Sequence, residues 1–335
     1  MSRRIPASCA TVAALVAVGS LATIPVAGQD RTAAAKTAST TTKSWKLPRT
    51  AWGDTDLQGV WSNATRTPFE RPTELGAREA LTDAEVADLK KQAESRVDRP
   101  PRAGDPGTYN RFWWEDGDFS NRTSLVVDPP DGRLPPRTPE GQVIARWQRG
   151  TDSWEDRTLW ERCLTRGLPN TMFPGFYNNN YQILQGPGYV VIIAEMIHDA
   201  RIIPLDRRPH LQDNLRQSMG DSRGHWEGNT LVVDVTNFTD KTTGRLNPAG
   251  SYGGSGDALH LVERFTRTED TIDYVVTVDD PKQFTRPWTA AIPMKKEDTY
   301  QIFEYACHEG NLGMEGILTG ARDEERAAAE AAKKK

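Results

Sequence analysis

The side chains with most capacity for chemistry gather in two short stretches. At 195–201 the sequence sets Glu195, His198, Asp199 and Arg201 into an apolar run, and at 304–308 it places Glu304 and His308 four residues apart. A histidine near neutral pH takes up or gives up a proton, a carboxyl does so when its surroundings move its pKa, and an arginine steadies negative charge. Read as strands, 189–204 and 300–308 sort these groups by face. Glu195, Asp199 and Arg201 share a parity with Val191, Ile193 and Ile197, and His198 takes the other. Glu304 and His308 share a face with Ile302, while Tyr305 and Cys307 point the opposite way. Four residues along a strand separate Cα atoms by about 13 Å, so Glu304 and His308 line one pocket without bonding each other. The expectation is a cleft in which His308, Glu304, His198 and Asp199 move protons. The competing account is a structural carboxylate–arginine network, because a charge set into an apolar strand must be paired or hydrated.

Ligand-holding groups come from elsewhere in the chain. Tyr177, Asn178, Asn179, Asn180 and Tyr181 form a stretch rich in amides and phenols. Such groups suit hydroxyl-bearing ligands, since aromatic faces stack and amides bond hydroxyls, although an asparagine run equally suits a turn. The substrate-binding set expected is Arg201, Tyr177, Asn179, Tyr181, Arg286 beside Trp288, and Arg223. Residues 219–228 hold Gly-Asp-Ser but no Gly-x-Ser-x-Gly elbow, which argues against Ser222 as a nucleophile. The histidines, His198, His210, His225, His260 and His308, fall at neither H-x-H nor H-x-x-x-H spacing, and no phosphate or dinucleotide loop is present. No metal and no cofactor are therefore expected.

The elements that must position these groups are mostly strands. Asp56-Leu57-Gln58-Gly59-Val60-Trp61 reads as a turn into a strand. Residues 81–97 read as a helix, with Thr82 and Glu85 forming a capping box. Residues 98–140 are rich in Pro, Gly, Asp and Arg and read as irregular, broken by a short strand at 124–128. A second helix is expected at 153–164, capped by Ser153. From Asn180 onward strands are expected at 181–185, 189–204 (one long strand or a bent pair), 231–237, 260–267, 271–278, 288–294 and 300–307, with turns at Gly186-Pro187-Gly188 and at 226–230. No helices alternate with them. The fold class is mainly β: an antiparallel lipocalin-like barrel or sandwich with an irregular, partly helical N-terminal segment. The chain divides into a signal peptide at 1–28, a disordered leader at 29–50, an irregular wrapping segment at 51–165, the β domain at 166–320 and a polar helical tail at 321–335.

Residues 1–28 read as a signal peptide: Arg3 and Arg4, an uncharged apolar run to Ile24, then small residues at Val26-Ala27-Gly28. Cleavage there removes Cys9 and leaves Cys163 and Cys307, a pair suited to a disulfide in an oxidising compartment. It leaves 40 basic against 46 acidic side chains, a balance that disfavours nucleic-acid binding. No second long apolar run exists, so no membrane span is expected after cleavage. The protein is expected to be periplasmic or secreted.

Three phrases carry a resemblance: Tyr177-Asn178-Asn179-Asn180-Tyr181-Gln182, Gly220-Asp221-Ser222-Arg223-Gly224-His225-Trp226-Glu227-Gly228, and Glu304-Tyr305-Ala306-Cys307-His308-Glu309-Gly310-Asn311. Over roughly residues 50–318 the chain resembles a family of secreted proteins of environmental bacteria, a resemblance that implies export and brings no activity with it. Gly59-Val60-Trp61 is similar to the Gly-x-Trp of the first strand of lipocalin-like barrels, which implies a barrel. Two functions fit: an exported enzyme acting on a small polar or carbohydrate-like molecule by acid–base hydrolysis or elimination, or a lipocalin-like small-molecule binding protein without catalysis.

Overall fold

The computed structural model describes residues 45–95, 111–115, 117–146, 150–242 and 256–334. The expected signal peptide and most of the leader lie outside them. Residues 45–50 are ordered: Arg49 bridges to Thr55 and its guanidinium bonds the side chain of Asn229.

Alternation of apolar and polar residues makes the strands. They are β1 (Gly59–Ser62), β2 (Val126–Asp128), β3 (Asn180–Gly186), β4 (Tyr189–Ala194), β5 (Ala200–Pro204), β6 (Asp221–Glu227), β7 (Thr230–Thr236), β8 (His260–Thr268), β9 (Thr271–Asp279) and β10 (Trp288–Lys296). All pair antiparallel in one sheet of order β5-β4-β3-β1-β10-β9-β8-β7-β6, with β2 pairing β10. The sheet curls into a nearly closed nine-strand barrel, so the expected antiparallel β class holds, as a barrel. At the seam β5 meets β6 side by side: Arg201 bonds Ser222, and a Cβ on Gly224 would lie 2.7 Å from Ile203 Cγ2 and 2.6 Å from Leu205 Cδ2. Only glycine permits that approach.

Every second residue of β8, β9 and β10 points inward. Leu261, Glu263 and Phe265 sit opposite Val278, Val276 and Tyr274, which in turn face Trp288, Ala290 and Ile292. These side chains are buried in one contiguous core with Trp61, Tyr181, Ile183, Ile192 and Val233. The barrel is thus filled by its own residues, as small barrels are. Midway along it lies a polar layer. Arg201 makes a two-pronged ion pair with Glu263, and the Tyr274 hydroxyl donates to Glu263 Oε1 at 2.8 Å. All three are buried, and burial pushes the Tyr274 hydroxyl well above its ordinary pKa.

Helix α1 (Asp83–Glu94) begins at the expected capping box of Thr82 and Glu85. Helix α2 (Pro139–Arg146) begins at the very end of the stretch expected to be irregular, 98–140, and α3 (Leu312–Lys333) starts well before the expected tail helix. Three expectations differ from the structure. Residues 153–164 form no continuous helix. Ser153 caps a single turn at Trp154–Asp156, Arg157 is extended, Thr158 restarts the cap by accepting from the Glu161 backbone, and Cys163 ends it at φ 57°. The run 189–204 is the bent pair and not one long strand: it breaks at a turn over Met196–His198, where Ile197 and His198 have φ of 60° and 46°. That break cancels the parity expected to align Glu195, Asp199 and Arg201. Residues 300–308 form no strand. Both neighbours of β10 are already in place, and the remaining edges, β5 and β6, face each other.

Candidate functional site

A cleft of about 840 Å³ lies between α1 and the segments 65–75, 114–115, 119–123 and 174–176. Its apolar surface comes from Leu75, Leu89, Trp114, Phe119 and Phe176. The wall supplied by α1 also presents Asp88 and Gln92, one turn apart, and neither side chain bonds another residue among those described. Glu85, on the same wall, is committed: it closes the capping box and bonds Arg78, and these donors hold its carboxyl down at about 2. The volume is that of a small-molecule site, and apolar walls with a few polar groups are the usual lining of one.

The floor of the cleft continues into the asparagine loop, and here the three amides have structural work. Glu115 accepts from the backbone N–H groups of Asn178 and Asn179 and from the Asn179 side chain, at 2.5, 2.9 and 2.8 Å. Buried Glu195 accepts from the side chains of Asn178 and Asn180, at 2.8 and 3.0 Å, and from the Tyr300 hydroxyl. Burial, together with this bond to Glu195, raises the Tyr300 pKa. Tyr181 is buried; its hydroxyl donates to Thr171 O at 2.8 Å and accepts from Asn63 at 3.0 Å, and burial pushes it up to about 12.

Beside this loop stands a second polar assembly. A disulfide joins Cys163 to Cys307, with Cα atoms 5.6 Å apart, as the sequence led us to expect. Two residues after Cys163, Thr165 donates to Asp199 Oδ2 at 2.9 Å, and the Arg166 backbone N–H donates to the same oxygen at 3.3 Å. Burial raises the Asp199 pKa, against the pull of these donors. The Arg166 side chain is buried. Its guanidinium lies 5.6 Å from the Trp160 ring and within electrostatic reach of Tyr181, Asp199, Tyr177 and Tyr305. The rings of Tyr177 and Tyr305 are stacked, with centroids 6.5 Å apart.

The residues singled out from the sequence are therefore dispersed. Asp199 and Tyr177 stand at the Arg166 assembly, with Tyr181 beneath it. His198 is exposed on the β4–β5 turn. Glu304 and His308 are exposed, and their side chains bond no other described residue. Tyr305 and Cys307, expected on the opposite face from them, turn toward the protein, as does Tyr300 at the start of that segment. Arg201 points into the barrel, away from the Asp199 carboxyl. Asn179 serves Glu115. Arg286 pairs with Asp128 on the surface, while Trp288 is fully buried in the core. Arg223 pairs with Asp221 at 2.6 Å. Arg166 and Glu115 went unnoticed in the sequence. The available signal was an arginine three residues past a cysteine, and the Trp113-Trp114-Glu115 run.

Among the described residues no group of histidine, cysteine, aspartate and glutamate is arranged to hold a metal, and no helix is long and apolar enough to cross a membrane. No protein-family model matches the chain, and no curated protein matches it. Among solved structures it is similar to a secretary abundant heat soluble (SAHS) protein from Ramazzottius varieornatus, at 12% identity over 42% of this chain and 87% of that one, with a TM-score of 0.25. A score that low carries no argument, and the barrel assignment rests on the strand pairing itself.

Proposed function

We propose that this protein binds a small amphipathic molecule in the cleft beside α1, outside the barrel. The observation that carries the reading is the cleft: about 840 Å³, walled by aromatic and aliphatic side chains, with Asp88 and Gln92 uncommitted on one side. A ligand there sets its apolar body against Trp114, Phe119 and Phe176 and offers hydroxyl or amino donors to Asp88 and Gln92. Aryl glycosides and aromatic amines have that chemistry. A ligand inside the barrel, as a lipocalin-like carrier would hold it, has to displace Trp61, Tyr274 and Trp288, all fully buried.

The place of work proposed is the periplasm or the extracellular space. A disulfide persists in an oxidising compartment, and residues 1–28 have the pattern of an export signal. We place the chain with the family of secreted bacterial proteins whose phrases it resembles. Two of the three phrases supply Tyr177 and Tyr305 to the assembly around Arg166.

A catalytic reading has one observation in its favour, the Asp199 carboxyl held by two threonine hydroxyls with its pKa raised by burial. Such a group holds its proton to a higher pH than an ordinary aspartate, which suits a proton donor. Titration with a panel of aryl glycosides and aromatic amines, followed by tryptophan fluorescence and by product analysis, separates the two. Binding without turnover, weakened about tenfold or more by Leu89→Arg or Phe176→Ala, is the expected result. Binding that neither change disturbs removes the cleft as the site. Turnover lost in Asp199→Asn moves the function to catalysis.

A further inference from the structure

Four arginines of the described residues are buried: Arg71, Arg166, Arg201 and Arg267. Arg201 is held by Glu263 and Ser222, Arg267 donates to Glu269 O and Asp56 O, and Arg71 donates to Thr123. Arg166, 7% exposed, differs from the rest: among the described residues its guanidinium makes no hydrogen bond and no ion pair. A guanidinium carries five N–H donors and stays charged inside proteins. Keeping all five idle in a buried place is costly, which is why buried charges are almost always paired.

We propose that Arg166 anchors an oxyanion-binding site, which takes the carboxylate or phosphate of a small aromatic acid, with Tyr177 and Tyr305 flanking it. Four features support this and go beyond the cleft reading. First, the arginine is not sealed, since its nitrogens are not among the enclosed, partnerless atoms of the described residues. Second, Asp199 is near enough to be felt but does not pair with it; Asp199 Oδ2 is taken by Thr165, Thr171 and the Arg166 backbone N–H. Third, the Trp160 ring covers the cation at 5.6 Å and leaves its donor edge for an acceptor. Fourth, the backbone around it is fixed before any ligand arrives. Gly167 N donates to Thr165 Oγ1, Thr171 bonds Gly167 O, and the disulfide pins Cys163 to the segment that carries Tyr305. An arginine held ready in this way loses little freedom on binding, and its planar fork matches an oxyanion with two parallel bonds. The Tyr305 hydroxyl bonds no other described residue and is available as a further donor.

Calorimetric titration of the full chain with benzoate and, separately, with phenyl phosphate tests the proposal alongside Arg166→Met and Tyr305→Phe. At least one probe should bind saturably, Arg166→Met should weaken it about tenfold or more, and Tyr305→Phe should weaken it about twofold to fivefold. The ligand-free melting temperature of Arg166→Met should equal or exceed the parent's, because the change removes an unpartnered buried charge. Tighter binding of benzoate assigns a carboxylate, and of phenyl phosphate a phosphate. No saturable binding of either probe, or binding that Arg166→Met leaves intact, overturns the proposal. If Arg166→Met fails to fold, Arg166→Lys replaces it; lysine keeps the charge without the fork, and unchanged affinity in both Arg166→Lys and Tyr305→Phe overturns it equally.

Discussion

The buried arginines show how much a single partner decides. Arg201 came out of the sequence as a ligand-holding residue, and the structure gives it a carboxylate, a hydroxyl and a place in the barrel interior. The same sequence reading had offered a strand-tying network as the alternative, and that account describes Arg201. Breaking one member of such a pair leaves the other charge buried and uncompensated, a loss of about 3–5 kcal/mol. Arg201→Met should therefore lower unfolding free energy by about that amount in urea denaturation, and adding Glu263→Leu should restore most of it. A double variant no more stable than Arg201→Met would remove the pairing as the cause. Arg166, with identical chemistry, has no such partner among the described residues, and on that contrast rests the proposal that it is open to a ligand.

Elements join through side chains that reach across strands. Asp234 on β7 bonds His260 on β8 at 2.7 Å, and its other oxygen bonds His210, whose second ring nitrogen meets Asp221 on β6. The bond to Asp234 raises the His260 pKa above 6.5, with the charge of Asp279 adding to it, and the bond to His260 lowers the Asp234 pKa below 3.8. The histidine's contribution is complete below its unfolded value of 6.5 and is lost as pH rises through its higher folded pKa. The aspartate's contribution is complete above its unfolded value of 3.8 and is lost as pH falls through its lower folded pKa. Both act together between those limits. For a half-exposed pair the size is about 0.2–1 kcal/mol. His260→Gln should cost that much near pH 5.5 and almost nothing near pH 9 in urea denaturation; an equal cost at both would show that packing and not charge is responsible. The helix expected at 153–164 failed at the same scale, since its start signals at Ser153 and Thr158 each satisfied a local turn.

For the whole molecule, one covalent link closes a separation of 144 residues between the segment before the asparagine loop and the segment after β10. Replacing both Cys163 and Cys307 by serine should cost about 2–5 kcal/mol in chemical denaturation, and should loosen the segment that brings Tyr305 to Tyr177. A variant as stable as the parent would mean that the segment is held by its other contacts alone. The antiparallel β class, most of the strands, the hairpin turns and the capping box of α1 were legible in the sequence, because period-two alternation and capping spacings are local properties of the chain; the choice of barrel over sandwich was not. The disulfide was legible by another route, as the two cysteines left over once residues 1–28 are read as a signal peptide. What only the tertiary structure decided is which polar groups meet. Ring closure left no free edge for 300–308, so the parity assigned to Glu304 and His308 had no sheet to act on. A turn at Ile197 and His198 sent Arg201 into the barrel and Asp199 out beside Thr165. Arg166 lay unremarked, because a lack of partners is a property of the space around a side chain, which neighbours in sequence do not encode.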